Sequence, residues 1–113
     1  MAQVQIKNKE RVRFYNMQAE FGTLDRARET RTIRYELIDK LSDEQLESRG
    51  IRKNIWGIYE CSEETAELST TMTLTDESLE MFKAFIQRAS DDGKVFYLDE
   101  PLFRQIISIT EDK

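Results

Sequence analysis

At 113 residues, 39 % hydrophobic and 35 % charged, with one proline and four glycines, the chain has material for one domain spanning 1–113 and is too apolar for extended disorder. A net charge of −5, no histidine and no apolar run near the ~20 residues of a membrane span weigh against a membrane protein, a histidine-based enzyme and a polybasic nucleic-acid binder. The N-terminal Met1-Ala2-Gln3-Val4-Gln5 has no apolar signal segment and the lone Cys61 can form no internal disulfide, so a reducing, cytoplasmic setting is expected.

Residues 3–7 alternate, with Val4 and Ile6 on one side and Gln3, Gln5 and Lys7 on the other, which predicts a short half-buried strand. Asn8 can cap the helix that follows, because its side chain can accept from the free amides of a first turn. Over 9–21, Val12, Tyr15 and Ala19 share one face while Phe14, Met17 and Phe21 share its neighbour, the pattern of a helix packed on two sides. Gly22 ends that helix.

Thr23 can cap a second helix extending to about Leu41. Its apolar arc holds Leu24, Ala27, Ile33, Tyr35, Leu37, Ile38 and Leu41, and at 100° per residue Arg31 and Arg34 fall inside that arc. Either their stems lie along the core edge with the heads in water, or they reach carboxylates on another element. Ser42-Asp43-Glu44-Gln45 has the spacing of a capping box, with Leu41 and Leu46 placed for the accompanying hydrophobic staple. Gly50 closes that short helix.

Ile55, Trp56, Ile58 and Tyr59 are strand formers, with Gly57 marking a bulge or close approach. Residues 62–65 read as a turn and 66–74 as a second strand, so 55–59 and 66–74 are expected to form a hairpin. Thr75 caps a helix with Asp76 and Glu77 in its first turn, and Leu79, Phe82, Phe85, Ile86 and Ala89 make one apolar face that Asp91-Asp92-Gly93 ends. Val95 to Leu98 reads as a strand, followed by an Asp99 cap with Pro101 tolerated in the first turn. Residues 102–109 could be helix or strand, and Phe103, Ile106 and Ile107 on one face favour helix. The last residues, 110–113, are expected to fray. The fold class is therefore α+β: a small antiparallel sheet of short strands covered by three main helices near 9–21, 23–41 and 76–90.

Chemistry is sparse. No serine has a recognisable activating partner, and Gly22, Gly50, Gly57 and Gly93 are too dispersed to cradle a phosphate. The carboxylate pairs Glu63-Glu64, Asp76-Glu77, Asp91-Asp92 and Asp99-Glu100 mostly fall at turns and caps, where acids are favoured structurally. No enzyme, cofactor or metal is expected. Charge is uneven: residues 1–53 carry 12 Lys+Arg against 9 Asp+Glu, whereas 54–113 carry 5 against 13. A solvated surface accounts for that more simply than imitation of DNA by carboxylates, although opposite poles can also support self-association.

The run from Arg26 to Arg34 carries four arginines interleaved with Asp25 and Glu29, with Glu36 beyond. Arginine beside apolar side chains is favoured at protein interfaces, which ranks a protein partner first, internal ion pairing second and nucleic acid third. The expected contact residues are Arg28, Arg31, Arg34 and Tyr35. Trp56 and Tyr59 are second candidates, although core burial is the preferred reading of both.

The order of a short strand (Val4-Gln5-Ile6-Lys7-Asn8-Lys9), a helix, Gly22 and then Arg26-Ala27-Arg28 leading an apolar helix resembles an uncharacterised family of small phage and prophage proteins of Gram-positive bacteria. The likeness covers about residues 3–41. It implies a viral accessory protein that acts by contact in a bacterial cytoplasm, with no catalytic residues to carry over. The function expected is a non-enzymatic protein-binding or regulatory module. The alternatives are a nucleic-acid-binding accessory protein using the Arg26–Arg34 helix and a self-associating structural or assembly protein.

Overall fold

The structure is a computed structural model that describes residues 2–21, 27–91 and 100–109. The predicted N-terminal strand is present as β1, Ala2–Lys7, with Ala2, Val4 and Ile6 buried and Gln3 and Gln5 exposed, as a two-residue period demands. Its partner is β4, Ser69–Leu74, paired antiparallel so that Ala2 faces Leu74 and Val4 faces Met72. Ile6, the third buried residue of β1, faces the half-buried Thr70, so one register hides every buried residue of both strands at once.

That pairing corrects the expected hairpin between 55–59 and 66–74. The hairpin is instead β2, Ile51–Lys53, with β3, Tyr59–Cys61, and residues 54–58 form its loop. Asn54 is the reason. Its Oδ1 accepts from the amides of Trp56 (2.9 Å) and Ile58 (3.0 Å), taking donors that a strand would give to a ladder. Gly57 sits in the same loop with φ of 76°, a left-handed conformation that side chains disfavour.

Helix α1, Asn8–Phe21, follows β1 directly. Asn8 does not cap it. The Asn8 side-chain amide donates to the Thr65 carbonyl (2.9 Å), and Glu10 reaches back to accept from the Lys7 amide (2.8 Å), which is half of a capping box. Phe14 is fully buried and meets Phe82, Phe85 and Phe103 at centroid distances of 5.3–5.5 Å. Met17 is buried on the same predicted face, and on the neighbouring one Val12 is buried and Tyr15 partly buried. The Ala19 and Phe21 side chains lie outside the described residues.

Helix α2, Ala27–Arg34, does not continue as a regular α-helix to Leu41. It widens into a π-helical turn, Tyr35–Asp39, closed by the Lys40 amide on the Tyr35 carbonyl (3.1 Å). The wider turn breaks the 100° register. Glu36, Leu37 and Ile38 all face inward, and Tyr35, expected in the apolar arc, stands 55 % exposed. Arg11 of α1 fills the space beside the turn, donating to the Leu37 carbonyl (2.5 Å) and to Thr70 Oγ1 of β4 (3.1 Å). Burial, then the charge of Arg49, lowers its guanidinium to about 10, with Glu36 opposing the shift.

The capping box at Ser42 forms in both directions, with Gln45 N–H to Ser42 Oγ at 3.2 Å and Ser42 N–H to Gln45 Oε1 at 2.8 Å, and it starts α3, Asp43–Ser48. Leu46 is buried and Leu41 packs partly against the core. Gly50 follows at φ of 69°, where an added Cβ would clash with the Thr65 hydroxyl and lie 2.6 Å from Ser62 Oγ. Thr75 Oγ1 accepts from the Ser78 amide (3.1 Å) to begin α4, Asp76–Asp91, whose five predicted apolar residues are all buried. Residues 102–109 resolve as helix: α5 is Glu100–Ser108. Its buried face is Leu102, Phe103 and Ile106, whereas Ile107 is exposed, which corrects the face expected for it.

The architecture is thus α+β, two small antiparallel sheets of short strands with helices around them. One apolar cluster draws on β1, β4 and all five helices, and the hairpin contributes Ile51 to it. Among the described residues no helix is long and apolar enough to cross a membrane. Gly22, residues 23–26 (Arg26 among them), Asp92-Gly93, the strand expected at 95–98, the Asp99 cap and the tail 110–113 lie outside the described residues.

Candidate partner-binding face

The six expected contact residues separate into three situations. Arg28 is exposed but engaged, in an ion pair with Glu77 of α4. A second bridge between the same helices joins Arg88 to Glu29. Part of the arginine-rich run therefore ties α2 to α4, as the internal-pairing reading expected.

Arg31, Arg34 and Tyr35 come together. They line an open hollow of about 550 Å³ with Thr32, Asp39 and Ser78 around them. Arg31 is exposed and Arg34 half-buried, which answers how the helix carries arginines in its apolar arc. Arg34 lies over an aromatic ring, its Cζ 5.1 Å from the centroid of Tyr15. The Tyr15 hydroxyl donates to Asp39 Oδ1 (2.8 Å). Burial, and then that bond, push its phenol up to about 12, so it stays a neutral donor at physiological pH.

Tyr15 continues the contact outward. Tyr59 of β3 stands edge-on to it (5.1 Å, 84°), and the Lys53 ammonium of β2 lies 5.1 Å from the Tyr59 centroid. Asn16 of α1 donates to the Tyr59 carbonyl (3.1 Å), fixing the hairpin stem to the helix. The four groups form a ladder from the π turn to the hairpin. Tyr59 and Lys53 in turn border a second hollow, about 640 Å³, floored by Leu46 and Ile51 between α3 and the hairpin. Tyr59 is thus partly buried, in keeping with the burial reading.

Trp56 is the opposite. Core burial was expected, but the residue is 76 % exposed, between Ile55 at 89 % and Ile58 at 50 %. Its exposure follows from the loop geometry: 54–58 closes on itself as a turn, with the Asn54 amide on the Ile58 carbonyl (2.8 Å) and the Gly57 amide on the Asn54 carbonyl (3.0 Å). Ile55 and Ile58 were missed as surface residues. The signal available was Asn54 and Gly57 bracketing Ile55-Trp56, a loop pattern that their strand propensity masked. Arg11 was missed as the buried arginine, and no periodicity could mark it, because its partners are carbonyls distant in sequence.

Among the described residues no group of three His, Cys, Asp or Glu side chains could hold a metal ion. Cys61 is a free thiol, partly buried beside Thr65 Oγ1 (3.7 Å). Compared with known proteins, the chain matches no protein-family model, no curated protein and no solved structure.

Proposed function

We propose that the chain is a non-enzymatic protein-binding module of regulatory or accessory type, which meets its partner with the hairpin tip and the aromatic ladder beside it. The observation that carries this reading is Trp56 in water between two exposed isoleucines on a loop pinned by Asn54. Leaving these groups solvated opposes folding into a closed surface, and a rigid aromatic anchor loses little freedom on docking. The ladder supplies what surrounds such anchors: arginine, tyrosine and lysine held in place by stacking.

A nucleic-acid partner is less favoured, since Arg28 is neutralised by Glu77 and the arginine hollow also contains Glu36 and Asp39. The sequence likeness over 3–41 points to a phage or prophage accessory role in a bacterial cytoplasm. Capture of a partner from the native cell with the wild-type chain and with Trp56→Ala tests the reading. The variant is expected to weaken the complex about 30-fold, the loss of about 2 kcal/mol that a central aromatic anchor carries. Retained affinity in a folded variant overturns it.

A further inference from the structure

We infer that the hollow at the π turn is a subsite for a carboxylate side chain, and that the partner therefore offers an acidic segment. This rests on the protein-binding reading and adds the chemistry the partner must present. The acids in the hollow are already engaged: Glu36, 8 % exposed, faces Lys40 at 3.6 Å, and Asp39 accepts from Tyr15. The cations are not. Among the described residues no carboxylate pairs with Arg31 or Arg34, and Arg34 Nε is buried without a hydrogen-bond partner.

Arg31 and Arg34 are three residues apart, so both heads rise from the same side of α2. The cation–π contact with Tyr15 holds the Arg34 head beside the hollow, which removes part of the ordering cost when its fork meets an anion. Tyr35, exposed at the rim, adds a hydroxyl. The choice of anion follows from the surroundings. With Glu36 and Asp39 in the walls, the field of Arg31 and Arg34 is largely offset and gives a dianion little advantage, while a carboxylate still offers the planar pair of oxygens that a guanidinium fork matches.

The test is an NMR titration of the labelled protein with capped tetraglutamate, capped tetraglutamine and inorganic phosphate. Saturable shifts at Arg31–Tyr35 and Ser78 are expected with tetraglutamate alone. Arg31→Glu, at a residue that makes no internal bond, should weaken that binding at least about tenfold. Arg34→Lys, which keeps the charge but loses the planar fork, should weaken it by less. Equal response to tetraglutamine, tighter binding of phosphate, or an unchanged affinity in Arg31→Glu overturns the subsite. The two readings fail separately: a subsite that binds tetraglutamate while Trp56→Ala keeps its natural partner removes the tip as anchor, and the converse removes the subsite.

Discussion

The molecule contains two small antiparallel sheets that treat their apolar side chains in opposite ways. In β1 and β4, Val4, Ile6, Met72 and Leu74 are sealed between the strands and the helices. In the hairpin only Ile51 is buried, and Ile55, Trp56 and Ile58 stand in water at its far end. Both regions carry large apolar side chains, so hydrophobicity alone does not distinguish a residue that holds the fold from one left in water. What separates them is the local hydrogen-bond arrangement. The β1–β4 ladder puts alternate residues on one face against the core, whereas the Asn54 loop closes on itself and leaves its apolar residues exposed.

The contrast breaks most visibly in stability. Phe82→Ala empties a site at the centre of the aromatic cluster and is expected to cost about 3–5 kcal/mol. Trp56→Ala, removing a larger side chain, should stay within about 0.5 kcal/mol, since nothing is packed on it. Denaturant unfolding of both variants reads this directly, and a comparable loss in the two would erase the distinction between the sheets.

The two positive-φ glycines sharpen the same point. Gly50→Ala brings a methyl group against Ser62 and Thr65 where α3 joins the hairpin, and should cost about 2 kcal/mol or more. Gly57→Ala meets open space and carries backbone strain alone, about 1 kcal/mol, felt as a looser tip. Thermal unfolding should therefore separate the two alanines, with Gly57→Ala showing more effect on partner affinity than on melting.

The smallest effect lies where β1 meets α1. Lys7 and Lys9 both pair with Glu67, whose carboxyl is held down at about 2 against an ordinary 4.5 by its bonds to the two ammonium groups. Because the folded chain takes up that proton less readily than the unfolded one, the contribution is whole above pH 4.5 and lost as pH falls from there toward 2. Glu67 is largely exposed and both lysines are partly exposed, so salt should screen most of it. Acid titration of stability at low and high ionic strength, with Glu67→Gln as reference, should show a small salt-sensitive loss in that interval.

Much of the fold was legible. The capping box at Ser42, the cap at Thr75 and the apolar face of α4 depend on residues within one or two turns of each other, and each formed as read. The errors share a physical cause. Asn8 and Asn54 spend their side chains on partners chosen by loop geometry, the first on Thr65 and the second on its own turn. The pairing of β4 with β1 rather than with 55–59 is a long-range choice, decided by which faces can be buried together. Of the expected contact residues, Arg31, Arg34 and Tyr35 line one hollow, whereas Arg28 pairs with Glu77. The π turn that exposes Tyr35, and the burial of Arg11 that accompanies it, left no local trace.

Trp56 is the sole tryptophan of the chain, so its fluorescence reports the hairpin tip without labelling. In the free protein its emission should be that of a water-exposed indole, open to quenching by acrylamide. Addition of the captured partner should shift it to shorter wavelength and shield it. An indole already shielded in the isolated chain, or one equally quenched in the complex, would contradict the account.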